Sequence, residues 1–328
     1  MKYALHQSIF VDAPCKLCAG HTLVVIGTHG RRRQPLTTTI CRDCGLIHSY
    51  PIPSKDELDA YYARQYRSDY KGTVTPKRKH ILRYSRVAVR RLDHLRQFAT
   101  AGRKLLDVGS GSGEFVYMAS LAGFDAQGLE PHAGYSEYTR AIFGVPVITA
   151  PLEKADIAEN TYDIITLHHV LEHLHYPLTS LGYLNRWLKM GGLLAVEVPD
   201  IEFTRHSVAN RFHHAHVYNF NHATLTALLD KAGFELDARG VVASTTVFAR
   251  KTRAPAPERH VSIPENYHRL MAALFDVTAG AGRGRGSRIL RLLRKSRRYL
   301  LEYLEATRPS HPRVMVEREF RRGPAGAA

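Results

Sequence analysis

The sequence predicts an α/β protein built on a Rossmann-like sheet of seven strands, with a small cysteine-bearing segment before it and a basic helical tail after it. Three observations lead to this fold class. The apolar run Leu105–Val108 precedes a glycine-rich turn and a helical pattern, the order typical of a buried parallel strand that feeds a helix. Strand-like and helix-like segments then alternate up to about residue 250. All four cysteines precede this region, and a strong basic excess follows it.

Length and charge narrow the classes of protein. The chain has 328 residues and a formal net charge of +16, which indicates an anionic partner such as nucleic acid, a membrane surface or a phosphorylated substrate. The alternative is a basic tail without such a partner. No apolar run approaches the ~20 residues of a membrane span, and the first residues lack a signal-peptide core. We therefore expect a cytoplasmic protein, peripheral at the inner membrane face if the tail binds lipid.

Changes in composition divide the chain into three expected parts. These are residues 1–72 as a ribbon with a lead-in helix, 73–250 as the α/β domain, and 251–328 as a linker with a basic amphipathic helical tail. The α/β domain is expected to begin with a basic amphipathic helix over residues 77–99. Within the tail, residues 279–328 carry 13 Lys and Arg against 4 Asp and Glu.

The cysteines are arranged as two close pairs. They read Cys15-x-x-Cys18 and Cys41-x-x-Cys44, and two such pairs can supply the four thiolates of a tetrahedral zinc site. Four thiolates fill the coordination sphere, so the Zn²⁺ is expected to be structural. Redox pairs or disulfides are the alternatives, and a cytosolic chain disfavours them. After the last cysteine, Ser54 and Glu57 match a capping box that opens a helix.

The glycine turn itself reads Asp107-x-Gly109-x-Gly111-x-Gly113. Glycine allows the backbone to turn sharply and to approach a ligand closely. The acid at position 107 would repel a phosphate, whereas a ligand with a cationic sulfonium and an amino group would be attracted. A second strand ends at Glu130, and a carboxylate there can accept both ribose hydroxyls of an adenosine.

Over about residues 80–250 these features together resemble the class I S-adenosylmethionine-dependent methyltransferases. The resemblance implies the fold of that class, a sheet of seven strands, and S-adenosylmethionine as the cofactor. The residues that it implies for cofactor binding are Asp107, Gly109, Ser110, Gly111, Gly113, Glu130, Pro131, Leu152, Leu167 and His168. A Rossmann-type domain that binds NAD, or no ligand, is the alternative.

Histidines follow the fourth predicted strand, whose carboxyl end faces the transferable methyl group in this class. His169 is expected to act as a general base, because an unperturbed imidazole pKa near 6.5 suits proton removal at neutral pH. Glu172 and His173 are expected to shape the same wall. The sequence leaves open whether a second metal binds near these residues. His216 and Tyr218 resemble the Tyr–His pair of sugar C-methyltransferases, which implies proton removal from a carbon beside a ketone.

The amino-terminal segment resembles the zinc-ribbon lead-in of a subset of these enzymes, including sugar C-methyltransferases. The expected reaction is therefore methyl transfer from S-adenosylmethionine to carbon or oxygen of a small molecule, above all a nucleotide-linked or lipid-linked sugar. Residues 288–305 are expected to contact a membrane surface peripherally. One alternative is an RNA-modifying enzyme that grips nucleic acid with the ribbon and tail, although no aromatic stacking platform accompanies the charges. The other is a non-catalytic cofactor-binding protein.

Overall fold

The computed structural model describes residues 9–60, 76–98, 102–202, 211–243, 245–275, 296–297, 299–307 and 309–324. The chain divides into two compact units. The first unit joins Met1–Asp59 to Leu167–Asp276, and the second joins Ala60–Thr166 to Val277–Ala328. The expected boundary at residue 72 lies outside the described residues, and the division into three parts stays a prediction.

The described elements follow one another along the chain as strands and helices. The strands are β1 (Phe10–Asp12), β2 (Thr22–His29), β3 (Pro35–Cys41), β4 (Ile47–Ser49), β5 (Lys104–Val108), β6 (Asp125–Leu129), β7 (Val147–Ile148), β8 (Tyr162–His168), β9 (Leu188–Glu197), β10 (Tyr218–Asn219), β11 (Phe234–Ala243) and β12 (Thr246–Lys251). The helices are α1 (Lys55–Ala60), α2 (Arg78–Phe98), α3 (Glu114–Leu121), α4 (Ala133–Phe143), α5 (Pro177–Trp187), α6 (His222–Lys231), α7 (Asn266–Phe275) and α8 (Pro312–Arg322).

A seven-stranded sheet has the order β11-β12-β9-β8-β5-β6-β7. β5, β6 and β7 are parallel, with Leu105 opposite Ala126 and Gly128 opposite Val147. β12 is antiparallel to both β9 and β11. Because the parallel strands alternate with helices along the chain, the Rossmann-like α/β fold predicted from the sequence is confirmed.

In the second unit, the strand before the glycine turn is buried on both faces. Leu105 and Leu106 are inaccessible to solvent and Val108 nearly so, as expected of a central parallel strand. α2 forms where the basic amphipathic helix is predicted and packs against α3 and α8. Its apolar stripe, which includes Ile81 and Leu92, is buried, so the helix is held by its apolar face.

In the first unit, a second sheet has the order β1-β2-β3-β4-β10. The first four strands come from the cysteine-bearing segment, whereas β10 comes from a point about 170 residues later in the chain. β10 is antiparallel to β4 and places Tyr218 opposite His48. The ribbon sheet is therefore completed by the segment that carries the predicted His216 and Tyr218.

The ribbon also shares a hydrophobic core with later parts of the same unit. Ile40 and Ile47 pack in one buried cluster with Phe212 and with Leu270 of α7. The sequence predicts only a linker and tail after residue 250, so α7 was not anticipated. Its apolar face covers the ribbon core, and a buried contact fixes it there, because Asn266 of α7 donates from Nδ2 to the Cys44 carbonyl oxygen at 2.7 Å. A second buried contact ties α6 to the ribbon, where Lys231 donates to the Leu17 carbonyl at 3.0 Å.

The described helices include none that is both long enough and apolar enough to cross a bilayer.

Candidate active site

The glycine turn has the backbone that its sequence predicts. Gly109, Gly111 and Gly113 all have φ between 57° and 81°, the left-handed region that side chains with a Cβ avoid. Gly113 caps the start of α3, and a Cβ there would lie 2.3 Å from Cγ2 of Thr139. A larger residue at this position therefore costs both backbone strain and a clash with α4.

Glu130 joins the turn to the next strand. It is 2% exposed, its Oε2 accepts the Gly111 N–H at 2.8 Å, and its Oε1 accepts the His132 N–H at 3.1 Å. An ionised carboxylate has about four acceptor sites, so one such group can accept several donors at once. The predicted pairing of the glycine turn with the acidic strand end is present, and its chemistry fits a ligand that carries two neighbouring hydroxyls.

The second unit also contains the predicted cofactor residues Asp107, Ser110, Pro131 and Leu152. Asp107 is buried, and its Oδ1 accepts the Thr166 hydroxyl at 2.6 Å. Ser110 is also buried, and within the described residues its hydroxyl has no hydrogen-bond partner. Such an orphan donor suits a bound polar ligand. Leu152 is buried in a 3₁₀ turn, and Pro131 is exposed. The residues present therefore fit a nucleoside-type cofactor.

His169 directly follows β8. The last two residues of that strand are Leu167, which is buried, and His168, which is half-buried. His169 has φ +57°, an unusual conformation for a residue with a Cβ. Its backbone N–H donates to the Glu197 carbonyl at 2.7 Å, and its ring lies between two carboxylates, with Nε2 3.1 Å from Glu197 Oε1 and Nδ1 3.4 Å from Glu172 Oε1. Strained backbone of this kind clusters at functional sites.

The two carboxylates decide the charge of this histidine. Partial desolvation lowers the pKa of His169, whose side chain is still 46% exposed, but Glu172 and Glu197 outweigh it and raise the pKa to about 9. The ring is therefore protonated at neutral pH. The sequence predicts a general base from an ordinary imidazole pKa; the two carboxylates raise that pKa, and the role of His169 as a base stays a prediction.

Glu172, His173 and His216 form a cluster beside it. Glu172 is 1% exposed, and its Oε1 lies 3.7 Å from Nε2 of His173. The rings of His173 and His216 meet edge to face with centroids 5.0 Å apart. Burial lowers the pKa of His216 to about 3, so this imidazole is neutral at neutral pH. The structure thus brings together His169, Glu172, His173 and His216.

Tyr218 is fully buried in β10, and its hydroxyl donates to the His175 carbonyl at 3.0 Å. Burial raises the pKa of its phenol. The Tyr218 hydroxyl is therefore bonded to backbone and not to His216. The role of the His216–Tyr218 pair stays a prediction. Two partners in this region were not anticipated: Glu197 at the end of β9, and the Ala215 carbonyl, which accepts from Nδ1 of His173 at 2.5 Å. An acid at the carboxyl end of a predicted strand was the available signal for Glu197.

The four cysteines converge in the first unit. The Sγ atoms of Cys15 and Cys44 lie 3.6 Å apart, those of Cys18 and Cys41 lie 3.5 Å apart, and all four lie within 4.8 Å of one another. These distances exceed a disulfide bond by far, whereas sulfurs on one tetrahedral zinc are about 3.8 Å apart when Zn–S is about 2.3 Å.

Backbone amides complete the arrangement around the sulfurs. The Leu17 N–H donates to Cys15 Sγ at 3.5 Å, and the Gly20 N–H donates to Cys18 Sγ at 3.4 Å. Both donors stabilise negative charge on sulfur, which is the form that ligates metal. The donor set therefore fits a thiolate-bound cation, as the cysteine spacing predicts.

Comparison with known proteins also points to a methyltransferase domain. A family model described as a methyltransferase domain matches residues 79–239. A protein of Mycolicibacterium smegmatis, described as a probable S-adenosylmethionine-dependent methyltransferase, is 30% identical over 164 residues. That match covers 49% of this chain and 59% of the relative, so the chain spans less than two thirds of the relative's length.

Solved structures of methyltransferases also match. A SAM-dependent methyltransferase from Aquifex aeolicus is 22% identical, with a TM-score of 0.42, covering 54% of this chain and all of its own. An S-adenosylmethionine-dependent methyltransferase from Mesorhizobium loti is 15% identical, with a TM-score of 0.39, covering 49% of this chain and 97% of its own.

Proposed function

We propose that the chain methylates a small-molecule acceptor, because residues 79–239 belong to the class I S-adenosylmethionine-dependent methyltransferases. The observation that carries the proposal is the bond between Gly111 and Glu130. It holds the glycine turn, whose glycines have positive φ, against the buried carboxylate of Glu130. When bound, the cofactor supplies an electrophilic methyl group on a cationic sulfur.

The residues of the second unit have distinct tasks in this proposal. Glu130 accepts the two ribose hydroxyls, and the carboxylate of Asp107, fixed by Thr166, favours the cationic half of the cofactor. Ser110 offers its orphan hydroxyl, and Leu152 and Pro131 supply apolar surface for the adenine. Catalysis of this type depends mainly on placement of the acceptor in line with the methyl group.

The histidine cluster of the first unit is proposed to hold the acceptor. His169, held between the carboxylates of Glu172 and Glu197, forms one charged wall of the proposed acceptor site. His216, a neutral imidazole in this environment, lines the same proposed site, and its role in proton removal rests on the resemblance to sugar C-methyltransferases. Glu172 and His173 fix the positions of these rings. We propose a nucleotide-linked or lipid-linked sugar as the acceptor, methylated on carbon or oxygen, on the strength of the resemblance of the ribbon and of His216 and Tyr218 to sugar C-methyltransferases.

The cysteine cluster is proposed to bind one structural Zn²⁺. The observation in favour is the set of four sulfurs within 4.8 Å, two of which accept backbone N–H groups. With four thiolates as ligands, no coordination position remains for a substrate. The ion would hold Cys15 and Cys18 to Cys41 and Cys44, and so fix the ribbon sheet that carries β10.

The tail is proposed to contact an anionic membrane surface. The helical residues 299–307 turn their acids inward, where Glu302 and Glu305 pair with Arg83 and Arg86 of α2. Apolar residues of the same helix are the exposed ones: Leu300 (57%), Leu301 (51%), Tyr303 (59%) and Leu304 (52%). Outward apolar side chains next to a basic stretch suit the interface of an anionic bilayer.

Sedimentation with vesicles tests the membrane contact. The full chain is expected to pellet with vesicles that contain phosphatidylglycerol and to remain in solution with phosphatidylcholine vesicles. The double variant Leu300→Glu, Leu304→Glu should lose binding, while Met190→Glu, which changes an equally exposed apolar residue of β9, should retain it. Equal pelleting of all three proteins would refute this contact.

Methyl transfer is tested with labelled S-adenosylmethionine and a cell extract separated into nucleotide sugars, lipids, RNA and protein. We expect label in the sugar or lipid fraction, and none with Gly111→Arg, which blocks the turn. Glu137→Ala, an exposed acid of α4, serves as the matched control. Label in RNA alone would replace the proposed acceptor with nucleic acid. Cofactor binding without label in any fraction would favour the non-catalytic alternative.

A further inference from the structure

Three consecutive arginines form the tip of the hairpin between β2 and β3. They make a short 3₁₀ turn, Arg31–Arg33, which we call the arginine turn. Arg33 has φ +60°, a left-handed conformation that a residue with a Cβ rarely adopts. The side chains of Arg31 and Arg33 are exposed, and the side chain of Arg32 is outside the described residues. The hairpin therefore holds several cations together on a strained backbone, and such strain clusters at functional sites.

The guanidinium groups of this turn have no acidic partner. Within the described residues, neither Arg31 nor Arg33 forms an ion pair or a side-chain hydrogen bond, whereas other arginines of the first unit do, such as Arg253 with Asp230 at 2.6 Å. The surrounding sequence offers none either, because residues 13–42 contain no Asp or Glu. Like charges held close together repel one another, so an anion bound between them would be stabilised.

The arginine turn is bonded to the segment that leads to the histidine cluster. The Arg31 N–H donates to the Phe212 carbonyl at 2.8 Å, and both residues belong to the first unit. The ring of His213, the next residue, lies with its centroid 5.4 Å from that of His216. Residues 203–229 also contain no Asp or Glu.

The distance from the turn to the cluster is that of one elongated ligand. His216 follows Phe212 by four positions, and an extended chain of that length spans about 14 Å. The His216 N–H donates to the His213 carbonyl at 2.9 Å, so the chain turns there and the separation is shorter. A ligand with an anionic group at one end could therefore contact the arginine turn and the histidine cluster together.

We propose that Arg31 and Arg33 bind the phosphate groups of a phosphorylated acceptor. Guanidinium is planar and always charged, and its N–H donors form a fork that matches two phosphate oxygens. The inference rests on the proposed function, in which the histidine cluster holds the part of the acceptor that is methylated. The ligand chemistry is a diphosphate that bears a sugar, with either a nucleoside or a lipid at its other end.

Calorimetric titration of the zinc-loaded full chain, with S-adenosylhomocysteine present, tests the arginine turn. The probes are UDP-glucose for the nucleotide-linked source and glucosyl geranyl diphosphate for the lipid-linked source. We expect at least one probe to bind, and the probe that binds identifies the source. Arg31→Gln and Arg33→Gln should each weaken this binding more than tenfold. The control Arg42→Gln removes an exposed arginine at the opposite end of β3 and should bind as the wild type does.

Zinc content and the melting temperature are measured for each variant, so that loss of the fold is distinguished from loss of the phosphate contact. If one variant does not fold, the other decides. Failure of the wild-type chain to bind either probe, or equal affinity in the wild type and the folded arginine variants, would overturn the proposal. Arginine-dependent binding of an RNA hairpin, with neither sugar probe bound, would overturn it in favour of nucleic acid.

Failure of this inference and failure of the proposed function give different results. Arginine-dependent binding of a probe, without methyl transfer to any fraction of the cell extract, would leave the phosphate site standing and reject the proposed function. Methyl transfer to the sugar or lipid fraction at equal rates in the wild type, Arg31→Gln and Arg33→Gln would retain the proposed function and reject the phosphate site.

Discussion

Replacement of Glu130 by glutamine tests the cofactor site most directly. Glu130 accepts from the backbone at Gly111 and His132 with separate oxygens. Glutamine has nearly the same shape but only one acceptor oxygen, and its amide group would turn a donor toward one of these N–H groups. The variant therefore conserves packing while it removes acceptor capacity at the proposed ribose position.

The magnitude follows from the bonds that change. A hydrogen bond to a charged group contributes about 1.5–3 kcal/mol, and 1.36 kcal/mol corresponds to a tenfold change in equilibrium constant. Loss of the charge-assisted bond to one hydroxyl therefore weakens cofactor binding by about 10- to 150-fold. Loss of both bonds would exceed this range. The donor placed against Gly111 or His132 adds a stability cost of about 1–3 kcal/mol through the unsatisfied N–H.

Calorimetric titration with S-adenosylmethionine and with S-adenosylhomocysteine measures the affinity. Both ligands carry the ribose, so both should lose affinity by a similar factor in Glu130→Gln. Glu137→Gln, on the exposed face of α4, should bind both ligands as the wild type does. Unchanged affinity in a folded Glu130→Gln variant would refute the role assigned to this carboxylate, and loss for S-adenosylmethionine alone would point to the sulfonium instead.

Three further predictions concern charge and stability. Cys18→Ser should lower bound zinc from one ion per chain toward none and should lower the melting temperature. The control His21→Ala, at an exposed neighbour of the cysteine cluster, should keep the ion. A wild-type protein without zinc would contradict this prediction. Arg86→Ala removes the partner of Glu305 and Glu319 and should lower the free energy of unfolding by about 1–3 kcal/mol. Urea unfolding measures this change, with Arg90→Ala on the exposed side of α2 as the control. Burial raises the pKa of Glu305, but Arg86 outweighs it and the net shift of the pKa is downward. The stabilisation by this pair should therefore be complete above pH 4.5 and be lost as pH falls through the lowered pKa. The unfolding free energies of the two arginine variants should then converge in acid, and a pH-independent difference between them would contradict the pairing. Asn221→Ala should cost about 1–3 kcal/mol, because Asn221 closes a capping box at α6 and donates to Asn266 at 2.8 Å; a change below about 0.5 kcal/mol would show that these buried bonds are replaced.

Local features could be predicted because they depend on neighbours in sequence. The capping box of Ser54 and Glu57 is present, with the Ser54 N–H 2.7 Å from Glu57 Oε2 and the Glu57 N–H 3.3 Å from Ser54 Oγ. Asn221 likewise caps α6. The glycines of the turn have the positive φ that the pattern requires. In each case the chemistry of a few adjacent residues fixes the backbone, and no distant contact is needed.

The charge of the histidine site could not be predicted in this way. Glu197 lies 28 residues from His169, and His216 lies 43 residues from His173. Their proximity depends on β9, on the 3₁₀ turn and on the loop before β10 all folding together. The pKa of His169 follows from Glu197 and Glu172 jointly, so the ordinary imidazole value that the sequence suggests does not apply.

The sequence by itself determined the α/β fold, the glycine turn with its acidic strand end, and the two cysteine pairs, because periodicity, backbone conformation and ligand chemistry are written in short segments. Only the tertiary structure decided that β10 completes the ribbon sheet, that α7 covers the ribbon core, and that residues 299–307 bury acids and expose leucines. The last case shows the reason. A helix buries the face that matches its neighbour, and the neighbour here is the arginine-bearing α2, more than 200 residues away in the chain.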